Sequence, residues 1–443
     1  MNVGEEMMWT YENPAGILQR LIQFDTTNPP GNERTCIEFV TGLLEAAGIP
    51  VTVLAKDPQR PNLIARLPGR GAAPPLLLYG HVDVVTTAGQ DWQHPPFGGQ
   101  VIDGYIWGRG ALDMKGGVAM LLSAFLKAKA EGLEPAGDLI LAIVSDEEQG
   151  GVYGARYLVE EQAHLFAGVK YAIGEFGGFS LFVGEQKFYT IGVAEKQICS
   201  LQAVFRGPAG HGSRPIRGGA MAKLAAFLQK IDENRLPAHI TPVVQQLIEQ
   251  ISRALPEPAG SMVAALLVPG QTDAVLAAMG SQAALFDAIL HNTVSPTIVR
   301  GGDALNVIPG EVTLRLDGRL LPGMQPEDML LELRDLVGEE PELTVTNYEP
   351  GPPPPDMTHF DTLMGILQEL DPAGIPIPLM LTGVTDGRHF AHLGIQTYGF
   401  LPMNLPPDFA FTRTMHAADE RIPVESVQFG TAGVFRFLQQ YGN

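Results

Sequence analysis

Short apolar runs alternate with longer helical patterns through the first 175 residues, and no other feature of the chain narrows its fold as much. The runs are rich in β-branched and large aliphatic residues, are bounded by Gly, Pro or Asp, and cover residues 62–67, 75–80, 138–145 and 171–175. Between them, the patterns over residues 32–47, 115–130 and 152–161 predict helices. Strands alternating with helices predict an α/β layer with a mostly parallel sheet. In such sheets ligands gather in the crevice beyond the carboxyl ends of the strands. The residues that follow each strand are where chemistry is expected.

The texture changes near residue 192. Residues 197–205, 311–319 and 343–347 read as strands, and residues 218–231 and 324–337 as helices. That order suits an α+β unit with an antiparallel sheet. Residues 237–290 are Ala/Leu-rich and read as mostly helical, without a motif. Residues 349–355, a Glu-Pro-Gly start followed by four prolines, form a stiff polyproline-like linker. Beyond it, residues 378–381, 396–401 and 424–440 resume the first texture. The expectation is a first domain of residues 1–191 and 349–443. A second, of residues 192–348 with a helical extension around 237–290, is inserted into it.

Charge and cysteine content limit the partners. The chain has 29 Lys+Arg against 49 Asp+Glu, a formal charge of −20. That field repels phosphate backbones and anionic lipid, so neither nucleic acid nor membrane is the expected partner. Cys36 and Cys199 are too few for a disulfide-stapled domain or a thiolate metal site, and they read as unpaired thiols in a reducing cytoplasm. The N-terminus carries acids where a secretory signal needs a basic flank and an apolar run.

The polar residues after the strands are of ligand grade. The run ending at Gly80 leads into His81 and Asp83, an i, i+2 pair in which the acid can orient the imidazole. A satisfied histidine beside a capping aspartate is the alternative. Asp113 lies in a glycine-dense turn before the helix from Lys115, as a ligand or as that helix's N-cap. Asp146, Glu147 and Glu148 follow the third run, either as a solvated turn or as acids held together by cations. Glu175 follows the fourth run, and His416 lies in a loop near the C-terminus. Two imidazoles and at least four carboxylates without a thiolate suit two ions of the zinc, cobalt or manganese kind sharing a carboxylate. Such pairs hydrolyse amide or phosphate bonds.

The strings GHVDVV, WQHPPFGG, DGYIWGRGALDMKGG and DEEQGG occur in order between TTNPPGN (26–32) and His416. Together they resemble the dinuclear zinc peptidase and amidohydrolase family of acetylornithine deacetylase, succinyl-diaminopimelate desuccinylase, aminoacylase and carboxypeptidase G. The resemblance implies a metal-binding α/β catalytic domain carrying an inserted α+β lid, through which such chains dimerise. It implies His81, Asp113 and Glu175 on one ion, and Glu148, Asp113 and His416 on the other, with Asp113 bridging. Asp83 would fix the His81 tautomer, and Glu147 would be the general base. In the lid, His211 would donate to the oxyanion. Asn306 and Arg319 would bind the substrate carboxylate, with Gly383 and Thr385 lining the pocket. Three departures stand out: Gln197 where relatives often have Gly, Thr385 where they often have Ser, and a longer lid across 237–290.

The function expected from this is hydrolysis of an amide bond next to a free carboxylate, in an N-acyl amino acid, a dipeptide or a C-terminal residue. The alternatives are a non-catalytic metal- or peptide-binding protein on the same scaffold, and a dinuclear phosphoesterase.

Overall fold

Leu76–His81 and Leu139–Val144 are strands buried at every position. Strands covered on both faces need no polar alternation, which explains their unbroken apolar runs. They pair in parallel, and parallel pairing continues through Tyr171–Gly174 to Gln396–Gly399. Asn62–Leu67 and Val51–Leu54 extend one side antiparallel, and Gln186–Glu195 joins antiparallel on the other. With Ser180–Val183 and Ile375–Leu381 the sheet has nine strands around its parallel centre. The helix Lys115–Ala130 packs on this sheet and against the helices Pro14–Ile22 and Val424–Gln440. It is buried on nearly all sides, as its lack of a polar face requires.

This computed structural model describes residues 10–442, without the side chains of residues 281, 282 and 285. Most of the N-terminal stretch read for a signal therefore lies outside the described residues. The chain divides into two compact units. One holds the described residues through Val193, Pro355–Leu379 and those from Thr385 onward; the other holds Ala194–Pro354 and Met380–Val384. Residues 349–354 and 380–384, expected in the first domain, fall in the second unit, and residues 192–193, expected in the second, fall in the first. The Lys196 amide donates to the Leu381 carbonyl at 2.9 Å and draws residues 380–384 in.

The second unit is built on an antiparallel sheet in the order Thr293–Arg300, Glu311–Leu320, Gln197–Arg206, Glu342–Glu349. Its inward residues Leu201, Phe205, Leu314 and Leu316 pack with Leu224, Phe227 and Leu333 from the helices Ala220–Glu233 and Pro326–Val337. Residues 237–290 fold into short helices, the longest Pro242–Ala254. The edge strand Thr293–Arg300 was not expected from the sequence. Pro296 interrupts its pattern, and a bulge sits between Pro296 and Ile298, where edge strands tolerate proline. Gln197 ties the unit together: its amide donates to the Leu321 and Met324 carbonyls and accepts from Tyr348 and the Gly351 amide. Both cysteines are buried and unpaired. No helix among the described residues is long and apolar enough to cross a membrane.

Candidate metal centre

Three neighbouring parallel strands end on the same side of the first unit's sheet and deliver His81, the turn Asp146–Glu148, and Glu175. Asp113 enters from the turn before the helix Lys115–Ala130, and His416 from a loop. His81, Asp113 and Glu175 bring ligand atoms within 4.8 Å of one another, and so do Asp113, Glu148 and His416. Asp113 belongs to both groups. Its Oδ1 faces His81 Nε2 at 3.1 Å, and its Oδ2 faces His416 Nε2 at 3.1 Å. Glu175 Oε2 lies 3.5 Å from His81 Nε2, and Glu148 Oε1 lies 3.3 Å from His416 Nε2.

The local alternatives left open by the sequence resolve here. Asp113 does not cap the following helix, whose N-cap is Met114 without a side-chain bond. The three acids are not a solvated turn, because Asp146 is buried and the Glu147 and Glu148 side chains are 13% and 6% exposed. Asp83 organises the acids: its carboxylate accepts the Glu147 and Glu148 amides, the first two of their short helical turn, at 3.1 Å each. His81 Nδ1 meets the Asp83 carbonyl at 3.0 Å and its carboxylate at 3.4 Å, which leaves Nε2 for the cluster. Gly154 lets the chain return over the turn, since a Cβ there would sit 1.7 Å from the Ser145 carbonyl oxygen.

The electrostatics call for positive charge at the centre. Burial, reinforced by the Glu175, Asp386 and Glu148 carboxylates, pushes Glu147 well above the ordinary carboxylate range. Burial and Asp113 push Glu148 up to about 7, although His416 opposes them. Asp113 goes the other way, because hydrogen bonds from His416 and His81 outweigh its burial. Hydrogen bonds to Asp113 and Glu148 push His416 up to about 10. Protons held on His416, Glu147 and Glu148 balance the charge of crowded buried carboxylates, and a cation bound there would take their place. Glu175 Oε1 is buried with no hydrogen-bond partner among the described residues, an oxygen left for a ligand. The donor set of imidazole nitrogen and carboxylate oxygen fits two divalent ions.

The sequence reading missed the supports of this centre. Buried Glu420 accepts the Leu112 and Asp113 amides at 2.8 and 3.2 Å and pairs with Arg109 Nη1 at 2.6 Å. Arg109 also donates to the Ala417 carbonyl and to Gln90, whose amide donates to the His416 carbonyl. One network thus holds both the Asp113 turn and the His416 loop. Its only sequence signal is a short one, Glu420 following His416 by four residues. Arg388 was also passed over; its Nη1 stands 3.9 Å from Glu147 Oε1. Beside Asp113 and Glu175 lies a small cavity walled by Leu112, Phe176, Phe179, Leu401, Met403 and Phe411.

The other expected site residues divide between the units. Thr385 is buried in the first unit, its hydroxyl accepting the Gly387 amide. His211, Asn306, Arg319 and Gly383 lie in the second. His211 is exposed, with Nδ1 2.8 Å from Ser213 Oγ. The Gly212 amide donates to the Asn306 carbonyl, so the two loops adjoin. Arg319 is 26% exposed and pairs with Asp317 through Nε at 2.7 Å and Nη2 at 3.2 Å. Its Nη1 is buried without a hydrogen-bond partner among the described residues.

Comparison with known proteins identifies the lineage. The profile of peptidase family M20/M25/M40 matches residues 77–440. The chain is 29% identical over 365 residues to the N-fatty-acyl-amino acid synthase/hydrolase PM20D1 of Xenopus tropicalis, covering 80% of this chain and 70% of that one. Its fold is similar to the M20 family metallo-carboxypeptidase Sso-CP2 of Sulfolobus solfataricus, with TM-score 0.68, 16% identity and complete coverage of both chains. The Bacillus subtilis YXEP protein, a dinuclear metal binding peptidase of the M20 family, aligns at TM-score 0.59 and 14% identity, over 97% of this chain and 98% of that one.

Proposed function

The chain belongs to peptidase family M20/M25/M40 and is a metal-dependent peptidase or amidohydrolase, and on that premise we propose that it cleaves an amide bond adjacent to a free carboxylate. The substrates are N-acyl amino acids, dipeptides or C-terminal residues of short peptides. The observation that carries this reading is Asp113, which turns one carboxylate oxygen to each of two ligand groups, with Glu147 beside them. His81, Asp113 and Glu175 would hold one ion, and Asp113, Glu148 and His416 the other, zinc foremost and cobalt or manganese as substitutes. When bound, the ions polarise the scissile carbonyl and acidify water.

Glu147 accepts a proton from the attacking water as the C–O bond forms, and passes it to the nitrogen as the C–N bond breaks. The surroundings that raise its proton affinity suit a base that must next act as an acid. Asp83 holds His81 and the Glu147–Glu148 turn in register. His211 donates to the oxyanion, and Asn306 and Arg319 receive the substrate carboxylate, with Gly383 and Thr385 beside it. The chain works as a homodimer through its second unit, and its two unpaired thiols suit the cytoplasm. The name of the Xenopus relative favours N-acyl amino acids.

The test is Glu147→Gln with metal analysis, on a panel of N-acyl amino acids, dipeptides and a phosphodiester. Turnover of an amide substrate is expected to fall about 10²–10⁴-fold while metal content is retained. An unaffected rate removes the base, turnover of the phosphodiester alone selects a phosphoesterase, and metal binding without any turnover selects a binding protein.

A further inference from the structure

Glu147 and Glu148 share one short turn, Glu147–Gln149, closed by the Gly150 amide on the Glu147 carbonyl at 2.9 Å. The residue before it, Asp146, has φ 71°, a left-handed conformation that Asp bears more readily than most non-glycine residues and that its surroundings here hold in place. The surroundings are specific. The Asp146 carbonyl accepts the Gly151 amide at 2.7 Å, and its Oδ2 accepts the Tyr153 amide at 3.0 Å. Its Oδ1 receives Arg60 Nη1 at 2.9 Å and Asn28 Nδ2 at 3.1 Å.

Arg60 is fixed from behind. Its Nη2 lies 2.7 Å from Glu33 Oε1 and its Nε 3.2 Å from Glu33 Oε2. Glu33, Arg60 and Asp146 are 0%, 6% and 1% exposed. The guanidinium also lies 5.0 Å from the Tyr153 ring. It passes so close to Gly31, φ 81°, that a Cβ there would stand 2.3 Å from Nε. A second route runs through Asn28, which also donates to Asp83 Oδ2 at 2.8 Å, and Asp83 accepts the Glu147 and Glu148 amides. The TTNPPGN segment and Glu33 thus reach the catalytic turn by two buried paths, and Arg60 carries the charged one. A buried ion pair gains little stability over an apolar filling. What a guanidinium clamped on two carboxylates supplies is fixed geometry.

We propose that Arg60, backed by Glu33, is a positioning residue that holds Asp146 in its left-handed conformation and so aims the Glu147 carboxylate. It touches neither candidate ligand group and acts through Glu147. This rests on the reading of Glu147 as the base.

The experiment is an epistasis test in the metal-loaded full chain. Arg60→Lys keeps the charge and loses the fork. We expect kcat to fall roughly 10–100-fold, the scale of a misplaced catalytic group, with KM within about threefold and metal content unchanged. Added to Glu147→Gln, the same substitution is expected to change the residual rate by less than about twofold, since the group it aims is gone. A full second penalty there overturns the inference, as does an Arg60→Lys rate equal to wild type, or loss of metal in step with rate. Should Arg60→Lys fold poorly, Arg60→Met with Glu33→Gln removes the cation and one of its two buried carboxylate partners, and leaves Asp146 to Asn28 and the Tyr153 amide. In the folded fraction of that variant kcat should stay low with metal content retained; a wild-type kcat there refutes positioning. A fully active Glu147→Gln single variant would instead sink the base assignment, an outcome separate from all of these.

Discussion

In the first unit the carboxylates of the candidate centre and its supports are buried against charged partners, Asp113 between two imidazoles, Asp146 on Arg60 and Glu420 on Arg109, and His416 is the half-exposed member. In the second, His211 and Asn306 are exposed, and Arg319 lies partly open on Asp317. The difference follows from the sheets. Parallel neighbours end side by side, so three strands can aim His81, Glu148 and Glu175 at one point. Antiparallel neighbours end at opposite edges, so the second unit presents its polar residues singly, on a strand or a loop. A centre assembled the first way carries its own chemistry; residues presented the second way suit recognition of a substrate.

The largest expected effect tests the first half of that contrast. Asp113→Ala removes the carboxylate common to both ligand groups, so metal content should collapse and turnover vanish with it. Elemental analysis of the purified chain reads this directly. Retention of about two ions per chain would show that the groups do not depend on a shared ligand.

Next in size is Arg319. If it receives the substrate carboxylate, Arg319→Ala should cost about two to three orders of magnitude in kcat/KM on a free-acid substrate. It should cost little on the corresponding amide, and Arg319→Lys should recover little, because an ammonium cannot reproduce a planar fork. Equal turnover of acid and amide by the wild type would leave Arg319 as the simple Asp317 partner that its bidentate contact depicts.

A smaller effect is expected at Glu420, which reaches the ions only through others. Glu420→Gln keeps the size and weakens the hold on the Asp113 amide and on Arg109. Metal affinity should drop roughly 10–100-fold, the usual result of losing a support behind a ligand. Competition with a chelator measures it, and an unchanged affinity would make Glu420 a packing residue.

How much of this could be read in advance depended on where the information lay. The parallel centre was legible because doubly covered strands such as Leu76–His81 and Leu139–Val144 leave long apolar runs. His81, Glu148 and Glu175 were legible because each follows a strand, and Asp113 because it lies in a glycine-dense turn, whereas His416 sits in a loop and was assigned through the family resemblance. Thr293–Arg300 was not legible, since Pro296 breaks its pattern, and neither were Gln100–Ile102 and Tyr105–Trp107, too short at three residues each to show a period. The supports were hidden for a different reason. Arg60 and Asp146 are far apart in sequence, and so are Arg109 and Glu420; only the folded chain joins them. Asp113 shows the limit most plainly, because its ordinary role before a helix and its actual orientation toward two imidazoles share one sequence context.

The smallest effect concerns a buried charge that the second unit holds without a salt-bridge partner among the described residues. Lys196 is 0% exposed, and its ammonium donates to the Ala288 and His291 carbonyls and the Thr293 hydroxyl at 3.0, 2.9 and 3.0 Å. These bonds fasten the end of the helix Ala284–Leu290 to the start of the sheet. Burial, with the nearby charge of Arg319, brings its pKa down to about 7, and Asp287 and Asp317 oppose this only in part. Between about 7 and the ordinary 10.5, the unfolded chain binds a proton that the folded chain has released. Stability should therefore rise with pH across that window, by at most about 1.4 kcal/mol per pH unit. Below it both states are protonated and the contribution is flat. Other groups titrate too, so the quantity to follow is the difference between wild type and Lys196→Met in denaturant unfolding of the whole chain. That difference should be constant below about pH 6 and move in favour of the wild type from about pH 7 to 9. A difference that stays constant throughout would show that three neutral acceptors are enough to keep this ammonium charged.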